Sequence, residues 1–255
     1  MKKTIMFVCL ATLLASGAAG AEEVKPDNEV SYNLSLASDY RYRGISQTRL
    51  DPALQGGADY TNNPTGLYAG IWMSTIQWIK DTPGAGSTPL EIDLYAGKRG
   101  QLTADIAYDV GVLGYVYAAN HLDQAGMKDG NTLELYGQLS KGPAYIKYSH
   151  AVTTLFGIVD SRNSGYLDAG ANIEIHEGLT LNLHAGYQKV QGINSSGATY
   201  SDYKIGVSKE FKDFGGVVVS LAAVGTNADK NYYATPANGK FLGKNSLVLI
   251  ATKTF

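Results

Sequence analysis

The stretch Val30-Ser31-Tyr32-Asn33-Leu34-Ser35-Leu36-Ala37-Ser38-Asp39-Tyr40-Arg41-Tyr42-Arg43 decides the fold, because apolar and polar residues alternate along it one by one. Val30, Tyr32, Leu34, Leu36, Tyr40 and Tyr42 share one parity, and Ser31, Asn33, Ser35, Asp39, Arg41 and Arg43 share the other. A period of two is that of a β-strand, whose successive side chains point to opposite faces. The strand therefore has one greasy face and one wet face.

The same pattern recurs along the chain. Leu54, Gly56, Ala58 and Tyr60 oppose Gln55 and Asp59; Leu90, Ile92, Leu94 and Ala96 oppose Glu91, Asp93 and Tyr95; Leu102, Ala104, Ile106, Tyr108 and Val110 oppose Asp105 and Asp109. Further on, Leu133, Leu135 and Leu139 oppose Glu134, Tyr136 and Gln138, while Ile146 and Tyr148 oppose Tyr145, Lys147 and Ser149. Leu167, Ala169, Ile173 and Ile175 oppose Asp168 and Glu174, and Leu181, Leu183 and Tyr187 oppose His184 and Gln188. Tyr203, Ile205, Val207 and Phe211 oppose Asp202, Lys204 and Glu210, and the last strand presents Leu247, Leu249, Ala251 and Phe255. Segments 66–79 and 215–227 are also strands, but competing apolar parities leave their faces open.

Connections give an independent reading. Short ones at 61–65, 100–101, 142, 177 and 212–214 alternate strictly with long ones at 44–51, 80–89, 120–130, 153–164, 191–199 and 228–243. Alternating short and long loops, an even strand number and segments of about ten residues characterise bacterial transmembrane barrels. The expectation is all-β: an antiparallel up-and-down transmembrane β-barrel of about twelve strands. Both termini fall on the short-turn, periplasmic side.

Composition agrees. The chain has 255 residues with 30 glycines and 18 tyrosines, and its mean hydropathy is −0.12. Alternation hides a barrel's apolar content from such an average. Lys2 and Lys3, an apolar run from Thr4 to Ala15 and the small residues Ala19-Gly20-Ala21 read as a signal peptide removed after Ala21, leaving a barrel over 22–255. The sole cysteine, Cys9, lies in that leader, which excludes a disulfide scaffold, a thiol nucleophile and thiolate metal ligation in the remainder. A formal charge of −2 gives no reason to expect nucleic-acid binding.

Aromatic residues fall where headgroup-level girdles belong: Tyr32, Tyr60, Phe211 and Phe255 at periplasmic ends, and Tyr40, Tyr42, Tyr148, Tyr187 and Tyr203 at outer ends.

The stretch Ser38-Asp39-Tyr40-Arg41-Tyr42-Arg43-Gly44-Ile45-Ser46-Gln47, followed by Asp51-Pro52-Ala53-Leu54-Gln55-Gly56-Gly57, resembles the opening of the TorF family of porin-like proteins. Gly66-Leu67-Tyr68-Ala69-Gly70-Ile71-Trp72 and Glu91-Ile92-Asp93-Leu94-Tyr95-Ala96-Gly97 extend that resemblance over about residues 30–117. It implies an outer-membrane pore of a Gram-negative bacterium with largely undefined solutes. The terminal Phe255 is similar to the aromatic residue through which barrel assembly machinery engages outer-membrane proteins; Lys253 departs from that pattern, where an aromatic or apolar residue is usual.

The wet parity would line the lumen with Asp39, Asp59, Glu91, Asp93, Asp105, Asp109, Glu134, Asp168, Glu174, Asp202 and Glu210, against Arg41, Arg43, Lys147, Lys204 and His184. Charged walls set selectivity, so a surplus of acids predicts a mild preference for cations or neutral solutes; mutual pairing across the lumen is the plainer alternative. Asp39, Arg41 and Arg43 form either a constriction or a network that holds the first outer loop.

Of the histidines, only His150 has the outward parity of a lipid-facing base, and Ser149 beside it points the other way. No nucleophile elbow, histidine pair at metal spacing or phosphate-cradling loop occurs, so neither enzyme chemistry nor a cofactor is expected. Two functions remain: a porin-like channel for small hydrophilic solutes, or a side-chain-plugged structural or surface-recognition barrel. A soluble ligand-binding barrel would require the opposite polarity, apolar inside and polar outside.

Overall fold

The computed structural model describes residues 26–193 and 195–255. The leader read over 1–21 and its cleavage site lie outside the described residues. The elements are β1 (Asn28–Ala37), β2 (Arg41–Tyr42), β3 (Ile45–Ser46), β4 (Ala53–Asn62), β5 (Leu67–Thr75), α1 (Trp78–Asp81), β6 (Leu90–Gln101), β7 (Ala107–Val116) and β8 (Thr132–Lys141). They continue with β9 (Ala144–Ala151), β10 (Gly165–His176), β11 (Leu179–Lys189), α2 (Ser195–Ala198), β12 (Tyr200–Phe211), β13 (Val217–Thr226) and β14 (Ser246–Thr254).

All the long strands pair antiparallel with their sequence neighbours, and β1 meets both β4 and β14, so twelve strands close into an up-and-down barrel. The seam runs from Asn33 opposite Thr254 to Ala37 opposite Ile250. Tyr32 and Phe255 extend it by exchanging backbone hydrogen bonds of 3.3 and 2.9 Å. Closure leaves no exposed sheet edge.

Polarity is inverted relative to a soluble protein. Leu36 is 64% and Leu135 51% exposed on the outer face, while Asn33, Ser35, Gln55, Glu91, Glu134 and Asp168 are buried inside. A contiguous apolar exterior of this size needs hydrocarbon as its solvent. Tyr32, Tyr60, Phe211 and Phe255 are exposed at the short-turn end, and Tyr148, Tyr187 and Tyr203 at the long-loop end.

The two ambiguous segments resolve. In β5, Leu67, Ala69 and Met73 face out while Tyr68, Gly70, Trp72 and Ser74 face in. Ile76 and Trp78 belong to no strand: the chain leaves the wall at Ile76, enters α1, and buries Ile76 and Ile79 among the loops. In β13, Val218, Ser220, Ala222 and Val224 face in and Leu221 and Ala223 face out.

Three expectations need correction. The first strand ends at Ala37, not Arg43; beyond it the chain turns into the lumen, so Tyr40 and Tyr42 are buried and are not girdle residues. The turn expected at Gly100-Gln101 lies at 102–106, because β6 runs on through both residues and Leu102 and Thr103 donate their N–H groups to the Ile106 carbonyl. Asp105 therefore leaves the lumen set. It sits exposed on that turn, 2.6 Å from Lys141 Nζ, and hydrogen bonds from Lys141 and Thr103 hold its carboxyl below the usual range.

Leu135→Arg, near the middle of β8, is expected to cost ~2–4 kcal/mol in lipid vesicles. Denaturant unfolding of the inserted barrel measures this, and a change near zero would mean that this face does not meet hydrocarbon.

Candidate functional site inside the barrel

The first long connection folds back into the lumen as the β2–β3 hairpin. Its two-residue turn, Arg43-Gly44, has positive φ at both positions, +46° and +79°. That is the geometry of the turns that match strand twist. Glycine adopts it freely, whereas an arginine there carries roughly 1–3 kcal/mol of backbone strain. A Cβ on Gly44 would lie 2.5 Å from Thr226 Cγ2 and 2.8 Å from Asp202 Cβ, so the hairpin tip packs flush against the β12–β13 wall.

What holds Arg43 in that conformation is its side chain. Nη2 donates to both Glu134 oxygens at 2.8 and 3.0 Å, and Nη1 donates to Gln188 Oε1 at 2.6 Å. The guanidinium lies 4.7 Å from the Tyr42 ring centroid and 4.2 Å from that of Tyr166. Both members of the ion pair are almost wholly buried. Glu134 is on β8 and Gln188 on β11, so one side chain ties the hairpin to two separate parts of the wall.

Asp39 and Arg41 do different work. Arg41 Nε contacts Asp39, and its other nitrogens reach the carbonyls of Gly44 and Leu242 and the Ser246 hydroxyl. Asp39 also accepts from Ser46 and Thr48. This pair braces the hairpin against the last long loop. A further ion pair joins Arg49 to Asp81, which also accepts from Thr235 at 2.8 Å, linking the first, second and last long loops. Around these bonds Tyr40, Ile76, Ile79, Leu113, Tyr117 and Leu122 form an apolar plug in the long-loop half of the lumen.

Elsewhere the inner wall is built from tyrosine laid over glycine. Tyr95 on β6 reaches across Gly70 of β5 to donate to Asp59 on β4 at 2.6 Å. Tyr166 on β10 crosses Gly186 of β11 to reach Asp202 on β12 at 2.9 Å. A Cβ at Gly70 or Gly186 would lie 2.5 or 2.0 Å from the ring or its hydroxyl, so these rows require glycine. Tyr68 donates to Asp109 at 2.5 Å and meets the Tyr136 hydroxyl; Tyr145 donates to Asp168 at 3.0 Å.

His184 bridges two acids, with Nδ1 2.9 Å from Asp168 and Nε2 2.6 Å from Asp202. Lys147 Nζ lies 4.1 Å from the Tyr136 centroid. Lys204 and Glu210 are half-buried on the inner face, and Glu174 is exposed at the short-turn rim.

Two features escaped the sequence reading. Arg99, which donates to Thr61 at 2.9 Å and lies over the Tyr68 ring, continues the inward parity of Glu91, Asp93 and Tyr95 and was legible from it. The tyrosine-over-glycine rows show only when strand register is known. His150 contacts Tyr148 and Asn163 rather than a serine, and Ser149 is buried on the opposite face. Among the described residues no three His, Cys, Asp or Glu side chains are placed to hold a metal ion.

Fold and lumen together define a transmembrane β-barrel with a polar, internally bonded interior and an inserted first loop. The chain belongs to the Gcw_chp family, described as "Bacterial protein of unknown function", whose sequence model matches residues 21–255. No curated protein matches. Among solved structures it is similar to the KdgM porin, with TM-score 0.53, 6% identity, and coverage of 89% of this chain and 97% of that one. It is also similar to the NanC porin, with TM-score 0.51, 9% identity, and coverage of 89% and 98%. At these identities the likeness shows the barrel fold.

Arg43→Ala leaves Glu134 buried without its cation, which typically costs about 3–5 kcal/mol. Thermal unfolding should show this loss, with Arg43→Met/Glu134→Gln recovering most of it; a single variant as stable as the parent would remove the ion pair from the account.

Proposed function

We propose that the protein is an outer-membrane porin-like channel of a Gram-negative bacterium, passing small hydrophilic solutes, with its outer half closed in this conformation by the first loop. The observation that carries this reading is the inverted polarity: an apolar belt faces out, and Asp59, Arg99, Asp109, Lys147 and Lys204 line the half-buried lower lumen. A barrel made only as a scaffold has no need of so many inward charges. The resemblance of 38–57 to TorF porin-like proteins, and the KdgM and NanC porins as fold neighbours, support the same reading. Export by the leader, insertion through the strand ending at Phe255 and immersion in outer-membrane lipid complete it.

Within the lumen, acids outnumber bases even without Asp105, so the channel prefers cations mildly. A second reading, a plugged structural or surface-recognition barrel, draws on the apolar cluster around Tyr40 and Tyr117 and the buried ion pair of Arg43.

Planar-bilayer recording separates the two. Replacing 40–47 by a glycine-serine linker should raise conductance several-fold over the parent, and reversal potentials in a salt gradient should show cation preference. Liposome swelling with graded sugars and amino acids then sizes the path. A linker variant that folds but stays silent supports the plugged barrel, and anion selectivity would remove the charge argument.

A further inference from the structure

The acids of the lumen are not equally provided for. Of the fully buried carboxylates, Asp39 has Arg41, Asp81 has Arg49, Glu134 has Arg43, and Asp168 and Asp202 share His184. Glu91 and Asp93, each 1% exposed, have no basic partner among the described residues. They stand two residues apart on the inner face of β6.

Glu91 accepts Tyr40 O–H at 2.5 Å on one oxygen and Tyr117 O–H at 2.6 Å on the other. Asp93 Oδ1 is buried with no hydrogen-bond partner. A buried carboxylate in this position demands a counter-charge or a donor. The next inward residue of β6, Tyr95, is half-buried, so the pair lies at the lower edge of the plug.

We propose that Glu91 and Asp93 form a binding site for a small monovalent cation of the ammonium class. Asp93 is in register with Trp72 on β5 and Tyr115 on β7, and Tyr40 packs edge-on against Trp72 with centroids 5.3 Å apart. Aromatic side chains with nearby carboxylates favour a weakly hydrated cation over a strongly hydrated one. An ammonium N–H supplies the donor that Asp93 Oδ1 lacks. A divalent ion fits poorly, since calcium takes 6–8 oxygen ligands and no third acidic or imidazole group converges here among the described residues. The site stands whether or not the barrel conducts, because it requires entry from the lower lumen only.

The tryptophans supply the readout. The chain has two, Trp72 opposite Asp93 and Trp78 edge-on to Tyr117 at 5.2 Å. Full-length barrel in detergent is titrated at fixed pH and ionic strength with methylammonium chloride, replacing N-methylglucamine, and with potassium chloride in parallel. The expected result is a saturable fluorescence change with methylammonium. Asp93→Asn and Glu91→Gln should each weaken it at least tenfold while keeping the heat-dependent gel shift of a folded barrel. The proposal is overturned by a response to potassium alone, by a signal that follows only pH, which would give the pair a shared proton, or by variants that bind like the parent.

Discussion

The constraint on which everything else rests is that a backbone facing hydrocarbon must satisfy every N–H and C=O group within the protein. A sheet meets it only by closing, and here β1 closes against β14 over Asn33 to Ala37, with Tyr32 and Phe255 completing the seam. Once closed, the wall imposes two solvents on one chain. Residues of one parity meet lipid, and those of the other meet the lumen, where burial is dense enough that polar groups need partners.

The lumen's chemistry follows from that second demand. Acids on the inner face are met mostly by tyrosine hydroxyls, and Tyr68, Tyr95 and Tyr166 reach two strands away because glycine on the strand between lets the ring lie flat. Cations are used more sparingly and at decisive places. Arg43 accepts a left-handed backbone at the tip of an inserted hairpin and in exchange joins Glu134, Gln188 and two aromatic rings. Breaking that junction would free the hairpin from β8 and β11 together.

Most of the wall was legible in the sequence because period-two alternation is imposed residue by residue: the strand parities, the alternating short and long connections and the inward placement of Asp59, Glu91, Glu134 and Asp168 all came from it. What failed had a physical cause. Alternation through Ser38 to Arg43 reads like a strand, yet a two-residue hairpin carries the same period, so Tyr40 and Tyr42 were assigned to lipid when they fill the lumen. Asp105 shares the inward parity but lies within a five-residue turn, outside both β6 and β7. Cross-lumen contacts such as Arg43 with Glu134, which are 91 residues apart in sequence, depend on closure and on loop insertion, and local pattern carries no record of either.

The two-solvent wall is tested most directly by spin labels placed one at a time from Leu247 to Ala251 on β14 in lipid vesicles, with accessibility to oxygen and to a water-soluble nickel chelate measured at each position. The account predicts high oxygen accessibility at 247, 249 and 251 and low values at 248 and 250. A flat profile, or one with the parity reversed, would contradict it.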